Sequence, residues 1–232
     1  SYVFAGQAVG SVLSGFLYTV NPYFPFWISF AFVLASIFIS FLFTETEQKR
    51  SQHSYFTHIF KSAGIAFKSP RLLWALLFSA LMGFCFRSTF WLYEPFFKTV
   101  HIPVAWFGVI FFVFNVVAAF SSKVLAHRPR GILLVLGMML AASFILPAIF
   151  VLPTALIFLA LQQIVRGLYR PVMNFYINHQ IQDEYRSTAI SLVGLVANLS
   201  FALFSPLVGR SLDGWGAIPT YWWMGAVVVS GV

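Results

Sequence analysis

From Ser1 to Thr44, and again from Gly131 to Val165, the chain carries no Asp, Glu, Lys or Arg. A hydrocarbon slab of ~30 Å is crossed by a helix of about 20 apolar residues, so both runs are long enough to span a membrane. Elsewhere charges are sparse too: 9% of residues are charged, against about 25% in soluble domains. With 60% apolar residues and 29 Phe, there is too little polar surface to clothe a water-soluble core of this size. An ordinary soluble globule is excluded, and an all-α, polytopic membrane protein is expected.

Turn signals divide the apolar sequence. They predict helices at 2–20, 24–43, 71–93, 104–126, 131–150, 154–177 and 187–209, with an eighth beginning near 219 and cut short at Val232. The expected breaks are Asn21-Pro22 with Pro25, Glu94-Pro95 with Pro103, His127-Arg128-Pro129, Pro153, Asp183-Glu184, and Asp213-Gly214 with Gly216. Each suits a turn better than a helix interior. The start without Met and the stop within an apolar stretch read as a piece of a longer protein.

Lys and Arg in short loops stay cytoplasmic. Lys49, Arg50, Lys61, Lys68, Arg71, Lys123, Arg128, Arg130 and Arg186 fall on one side of the predicted spans, against Lys98 and Arg210 on the other. That asymmetry makes 44–70 a cytoplasmic loop. Its charged part, Glu45–Ser54, reads as a linker; from His53 to Lys68 apolar residues recur every three or four positions, as in an amphipathic interfacial helix.

Other classes of function lack their residues. The net charge of +8 is spread singly between apolar runs, not gathered into the stripe that a nucleic-acid backbone requires. Cys85 is the sole cysteine, which leaves no disulfide framework or cysteine-rich metal site. His53, His58, His101, His127 and His179 are scattered, with no HExxH or paired-Asp motif. No enzyme, metal or cofactor is expected. A heptahelical receptor is poorly matched by a long loop after two spans.

Two spans, a long basic loop and six further spans resemble the middle and end of the major facilitator superfamily, whose transporters join two six-helix halves. Gly6, Gly10 and Gly15 with Ser11 and Ser14 resemble the glycine-rich fifth helix of its antiporters, where small residues let helices approach closely. Leu125-Ala126-His127-Arg128 is similar to the family's Leu-Ala-Asp-Arg loop signature, with Lys123 in place of its leading Gly, His127 in place of its Asp, and Arg130-Gly131 in place of Gly-Arg. Asp183-Glu184-Tyr185-Arg186-Ser187-Thr188-Ala189 resembles the start of the eleventh helix, and Pro206-Leu207-Val208-Gly209 with Asp213 and Gly216 its exit. The resemblance implies an incomplete helix bundle: 1–43 as the last two helices of the N-terminal half, 44–70 as the linker, and 71–232 as the C-terminal half with a truncated last helix.

Three arginines fall inside predicted spans: Arg87, Arg166 and Arg170. A charge at helix centre costs roughly 2.5–3.5 kcal/mol even on the lenient insertion scale, so it normally faces a cavity or a partner. Gln162, Arg166, Arg170, Asn174 and Asn178 recur every four residues as one slowly turning stripe, with Gln163 beside it. This pattern points to a lining of the substrate path or its gate, and also allows arginines locked to neighbouring helices. Asn115 and Asn198 are weaker cavity candidates, each also suited to a helix–helix hydrogen bond. Glu94 lies seven residues beyond Arg87, about 10 Å along the axis and too far for a direct ion pair.

The family resemblance implies that 71–93 and 154–177 line a central cavity, while 24–43 and 131–150, which offer only Ser29, Ser36, Ser40 and Ser143, face lipid. It implies secondary active transport of a small organic solute, a proton as candidate coupling ion, a lipid bilayer as surroundings, a monomer, and a place in the cell's inner membrane. Export is the expected direction. The alternatives are an importer of a sugar or organic anion, with the arginines as anion ligands, and a channel, which would conduct without saturating.

Overall fold

The computed structural model describes residues 2–43, 70–124, 131–179 and 183–232, all of it helices, turns and short connections with no strand among them. The predicted linker, its amphipathic helix and the Leu125–Arg128 signature lie outside the described residues. In chain order the helices are α1 (Tyr2–Val20), α2 (Phe24–Ser40), α3 (Pro70–Thr99), α4 (Phe107–Val124), α5 (Ile132–Ile149), α6 (Leu156–Asn178), α7 (Asp183–Trp215) and α8 (Ala217–Gly231). Single 3₁₀ turns at Val104–Trp106 and Pro153–Ala155 lead into α4 and α6.

Among the described residues, five stretches are long and apolar enough to cross a membrane: Val3–Val20, Leu72–Thr99, Val104–Lys123, Ile132–Ile149 and Ala189–Trp215. Helix α2 is apolar but shorter, at 17 residues. In α6, 23 residues long, the polar stripe dilutes an otherwise sufficient span.

Two helices run past their expected ends. Helix α3, expected to stop at 93, continues through Pro95 to Thr99, and α7, expected to stop at 209, runs past Asp213-Gly214 to Trp215 with Pro206 inside it. A proline removes one N–H, so only the carbonyls four residues earlier, on Trp91 and Ala202, lose their usual helical donor. Ending a helix amid apolar surroundings would strand several N–H and C=O groups at each new terminus. Continuing is the smaller cost. Helix α3 instead ends at His101, whose φ of 59° is left-handed; the His101 N–H donates to Lys98 O at 3.1 Å and the Ile102 N–H to Phe97 O at 2.9 Å, closing the last turn as a Schellman motif. The break after α7 falls at Gly216, where φ is 84°.

Helices α3 to α8 share one core. Leu133, Leu136, Leu140, Phe144 and Ala148 recur on one face of α5, which lies against α6 and α8. Phe144 and Tyr221 meet at 5.8 Å between ring centroids, and Phe96 on α3 meets Tyr221 at 5.2 Å. Helix α3 runs along α7, and α4 along α6. The first two helices are different: Ala8 is the buried residue of α1 among the described ones, and α2 has none.

Helix α1 rests on α4, and the glycines decide how closely. A Cβ on Gly15 would stand 3.2 Å from the Gly108 Cα, and one on Gly108 would stand 2.8 Å from the Ser11 carbonyl oxygen. Only hydrogen side chains permit that approach. The expectation of close helix approach therefore holds at Gly15; Gly6 and Gly10 face open space. The two helices expected to face lipid, 24–43 and 131–150, differ in burial: α2 is bare, while half of α5 lies in the core, which holds the fully buried Ser143.

Candidate functional site

The repeat of four on α6 turns as it rises. At about 100° per residue, each step of four advances ~40° around the axis, so the stripe leaves one neighbour and meets another. Gln162 and Gln163 are buried, Arg166 is half-buried, Arg170 and Asn174 are exposed, and Asn178 is half-buried. The predicted single lining is thus divided into an inner cluster and an outer edge. Neither Arg170 nor Asn174 has a side-chain hydrogen bond among the described residues, and the Asn178 Oδ1 is buried without a partner there.

The inner cluster is a hydrogen-bond chain running in one sense. Arg166 Nη1 donates to Gln163 Oε1 at 3.1 Å; Gln163 Nε2 donates to the Tyr93 hydroxyl at 2.5 Å; that hydroxyl donates to Gln162 Oε1 at 2.9 Å; Gln162 Nε2 reaches the Ser143 carbonyl at 3.4 Å. Each donor is polarised by the one before it, which strengthens such chains. Sequence reasoning missed Tyr93, although a tyrosine within an apolar span normally needs a partner for its hydroxyl. The Ser143 contact also ties the helix expected to face lipid into the polar centre.

Two further groups hold Arg166. Nη2 donates to Gln7 Oε1 at 2.7 Å, and Nη1 also lies 3.4 Å from Asn115 Oδ1, while Asn115 Nδ2 donates to the Phe111 carbonyl at 2.8 Å. The rings of Phe4 and Phe90 each lie with their centroids 4.9 Å from the guanidinium carbon, close enough for cation–π attraction. Gln7 and Phe4 were not foreseen, yet Gln7 is the single amide in the first 20 residues. Three helices besides α6 therefore converge on one cation through neutral groups.

Arg87 has a sparser setting. Its Nη2 donates to Asn198 Oδ1 at 2.5 Å, linking α3 to α7, and its guanidinium carbon lies 5.8 Å from the Phe201 ring centroid. Both residues of that pair are exposed. Arg87 and Asn198, read separately from sequence, thus meet each other, while Glu94 pairs with Lys98 at 2.7 Å on the same exposed helix face. That is the one salt bridge among the described residues, and neither Arg87 nor Arg166 has a carboxylate partner there.

Beside Arg87, a groove of about 740 Å³ opens between α3 and α7, with Ser88, Trp91, Glu94, Lys98, Phe201 and Ser205 on its walls. Its size suits a small organic molecule. No group of three or more His, Cys, Asp or Glu side chains capable of holding a metal occurs among the described residues. The chemistry on offer is recognition, through guanidinium, amide, hydroxyl and aromatic groups. No protein-family model matches the sequence, and no curated protein matches it.

Proposed function

We propose that the chain belongs to a secondary active transporter of the major facilitator type, which exports a small organic solute across the cell's inner membrane by alternating access. On this reading 1–43 is part of one half, 44–70 the linker and 71–232 the other half, with a single copy as the working unit and a proton as candidate coupling ion.

The observation that carries the reading is the narrow polar seam between the first two helices and the rest. Helix α1 touches α4 where Gly15 meets Gly108, and Arg166 crosses to Gln7 and Phe4 on α1. A rocking mechanism needs two bodies that separate at low cost; this contact contains few buried apolar side chains to pull apart. Arginines within an apolar bundle, compensated by neutral groups, suit a polar path better than a lipid face. Export rests on the likeness of α1 to the glycine-rich helix of antiporters.

Accessibility tests the mechanism without knowledge of the substrate. Ser205→Cys should react with an impermeant maleimide from outside, and Asn174→Cys from inside, each in a Cys85→Ser background. In the double variant, a bulky maleimide placed at 205 should suppress labelling at 174, because one side must close while the other is wedged open. Independent labelling of both positions would favour the channel instead.

A further inference from the structure

Resting on the transport reading, the geometry points to the groove between α3 and α7 as the site of an organic anion with an apolar body, its acidic group held by Arg87. Arg87 uses one of its five N–H donors, is exposed, and has no carboxylate partner among the described residues. Its position follows from continuity. The Phe201 ring that lies near its guanidinium also lines the groove, and Ser88, next in the chain, is on the same wall. Arg87 is not itself one of the wall residues but adjoins the end of the groove formed by Ser88 and Phe201, nearest the middle of α3.

The charges nearby favour an anion. Glu94 in the groove is already neutralised by Lys98. Asp213 lies at the far end, twelve residues beyond Phe201 on α7 and so ~18 Å away along the axis. Arg166 adds a second positive charge against Phe90, three residues from Arg87. A cation entering at the inner end would meet repulsion from both; a carboxylate or sulfonate would meet a free guanidinium fork, which such groups engage at two points.

The remaining surface suits an apolar body. Trp91 is 69% exposed in the groove and Phe201 offers a second ring, a pair able to contact an aromatic or aliphatic skeleton. The Ser88 hydroxyl, fully buried on the same wall, has no partner among the described residues. Arg166 takes no direct part, because three of its five donors are committed to Gln7, Gln163 and Asn115 and the Phe4 and Phe90 rings lie against it. Arg87 is the ligand arm and Arg166 supplies field.

The test uses probes of similar shape and different charge. The protein in lipid nanodiscs is titrated by calorimetry with 2-naphthoate, benzoate and octanoate, then with neutral 2-naphthamide and cationic 2-naphthylmethylammonium. At least one anion should bind, and the naphthoate should outcompete its neutral and cationic counterparts. Arg87→Gln should weaken anion binding about tenfold to a hundredfold, as expected for loss of a charge-assisted pair, with Arg87→Lys in between and Trp91→Ala reducing affinity for naphthoate more than for benzoate. Should Arg87→Gln fail to fold, the Arg87→Lys affinity decides. Binding by no anion, preference for the amine or amide, or unchanged affinity in the Arg87 variants would overturn the site. Mutually exclusive labelling at 205 and 174 with no anion bound would end this inference and leave transport standing; anion binding with independent labelling would do the reverse.

Discussion

Arg166 and Arg87 are the same residue in two settings. Arg166 is enclosed by three amides and two rings from four helices, whereas Arg87 has one amide, one ring and open space. The lesson is that depth along a span does not assign a role to an intramembrane charge. What matters is how many of its donors the protein has already used. A committed guanidinium organises its neighbours, and an uncommitted one remains available to a ligand.

The comparison breaks most easily at Arg166. Arg166→Ala strands the acceptor oxygens of Asn115 and Gln163, both on buried residues, and releases the exposed Gln7; leaving the two buried groups unpaired costs about 1–3 kcal/mol each. Less protein should reach the membrane, and the melting temperature in detergent should drop before transport can be assessed. Arg166→Lys should recover only part of this, since an ammonium cannot reproduce the planar fork. A stable, well-expressed Ala variant would place Arg166 in the same class as Arg87.

Tyr93→Phe sharpens the same contrast with a smaller change. It removes the donor to Gln162 and the acceptor for Gln163 within a packed core, for an expected loss of about 2 kcal/mol. Thermal unfolding of the variant, alone and with Gln162→Leu, should show non-additive losses if the chain acts as a unit.

At the outer edge the effects should nearly vanish. Arg170→Ala and Asn174→Ala alter exposed side chains without hydrogen-bond partners among the described residues, so each should shift stability by no more than about 0.5 kcal/mol. Arg87→Gln should also melt near the parent value, its consequence confined to binding. A large loss of stability at Arg170 would restore the continuous stripe as one structural element.

Much of this arrangement is written in local sequence. Charge-free runs and the poverty of polar surface require apolar helices, and seven of their starts can be read within a few residues. Glu94-Pro95 and Asp213-Gly214 mislead because a turn signal calibrated in water overstates the value of stopping. The four-residue repeat on α6, with Gln163 beside it, includes the residues that the structure joins in one hydrogen-bond chain, Gln162, Gln163 and Arg166. Arg170 and Asn174, on the same repeat, lie exposed, because ~40° of drift per step is invisible until neighbours are in place.

The amino-acid order thus determines helix type, approximate extent, and which side chains are too polar to sit idle in an apolar bundle. Partnership is decided only by the tertiary structure. Gln7 and Arg166 are 159 positions apart, Arg87 and Asn198 are 111 apart, and Tyr93 stands 69 and 70 positions from its two glutamines. Helical periodicity reports the direction in which a side chain leaves its own axis; the group it meets belongs to another helix, whose approach is set by contacts such as Gly15 on Gly108. That is why the two arginines look alike in sequence, and why packing alone encloses one and leaves the other open.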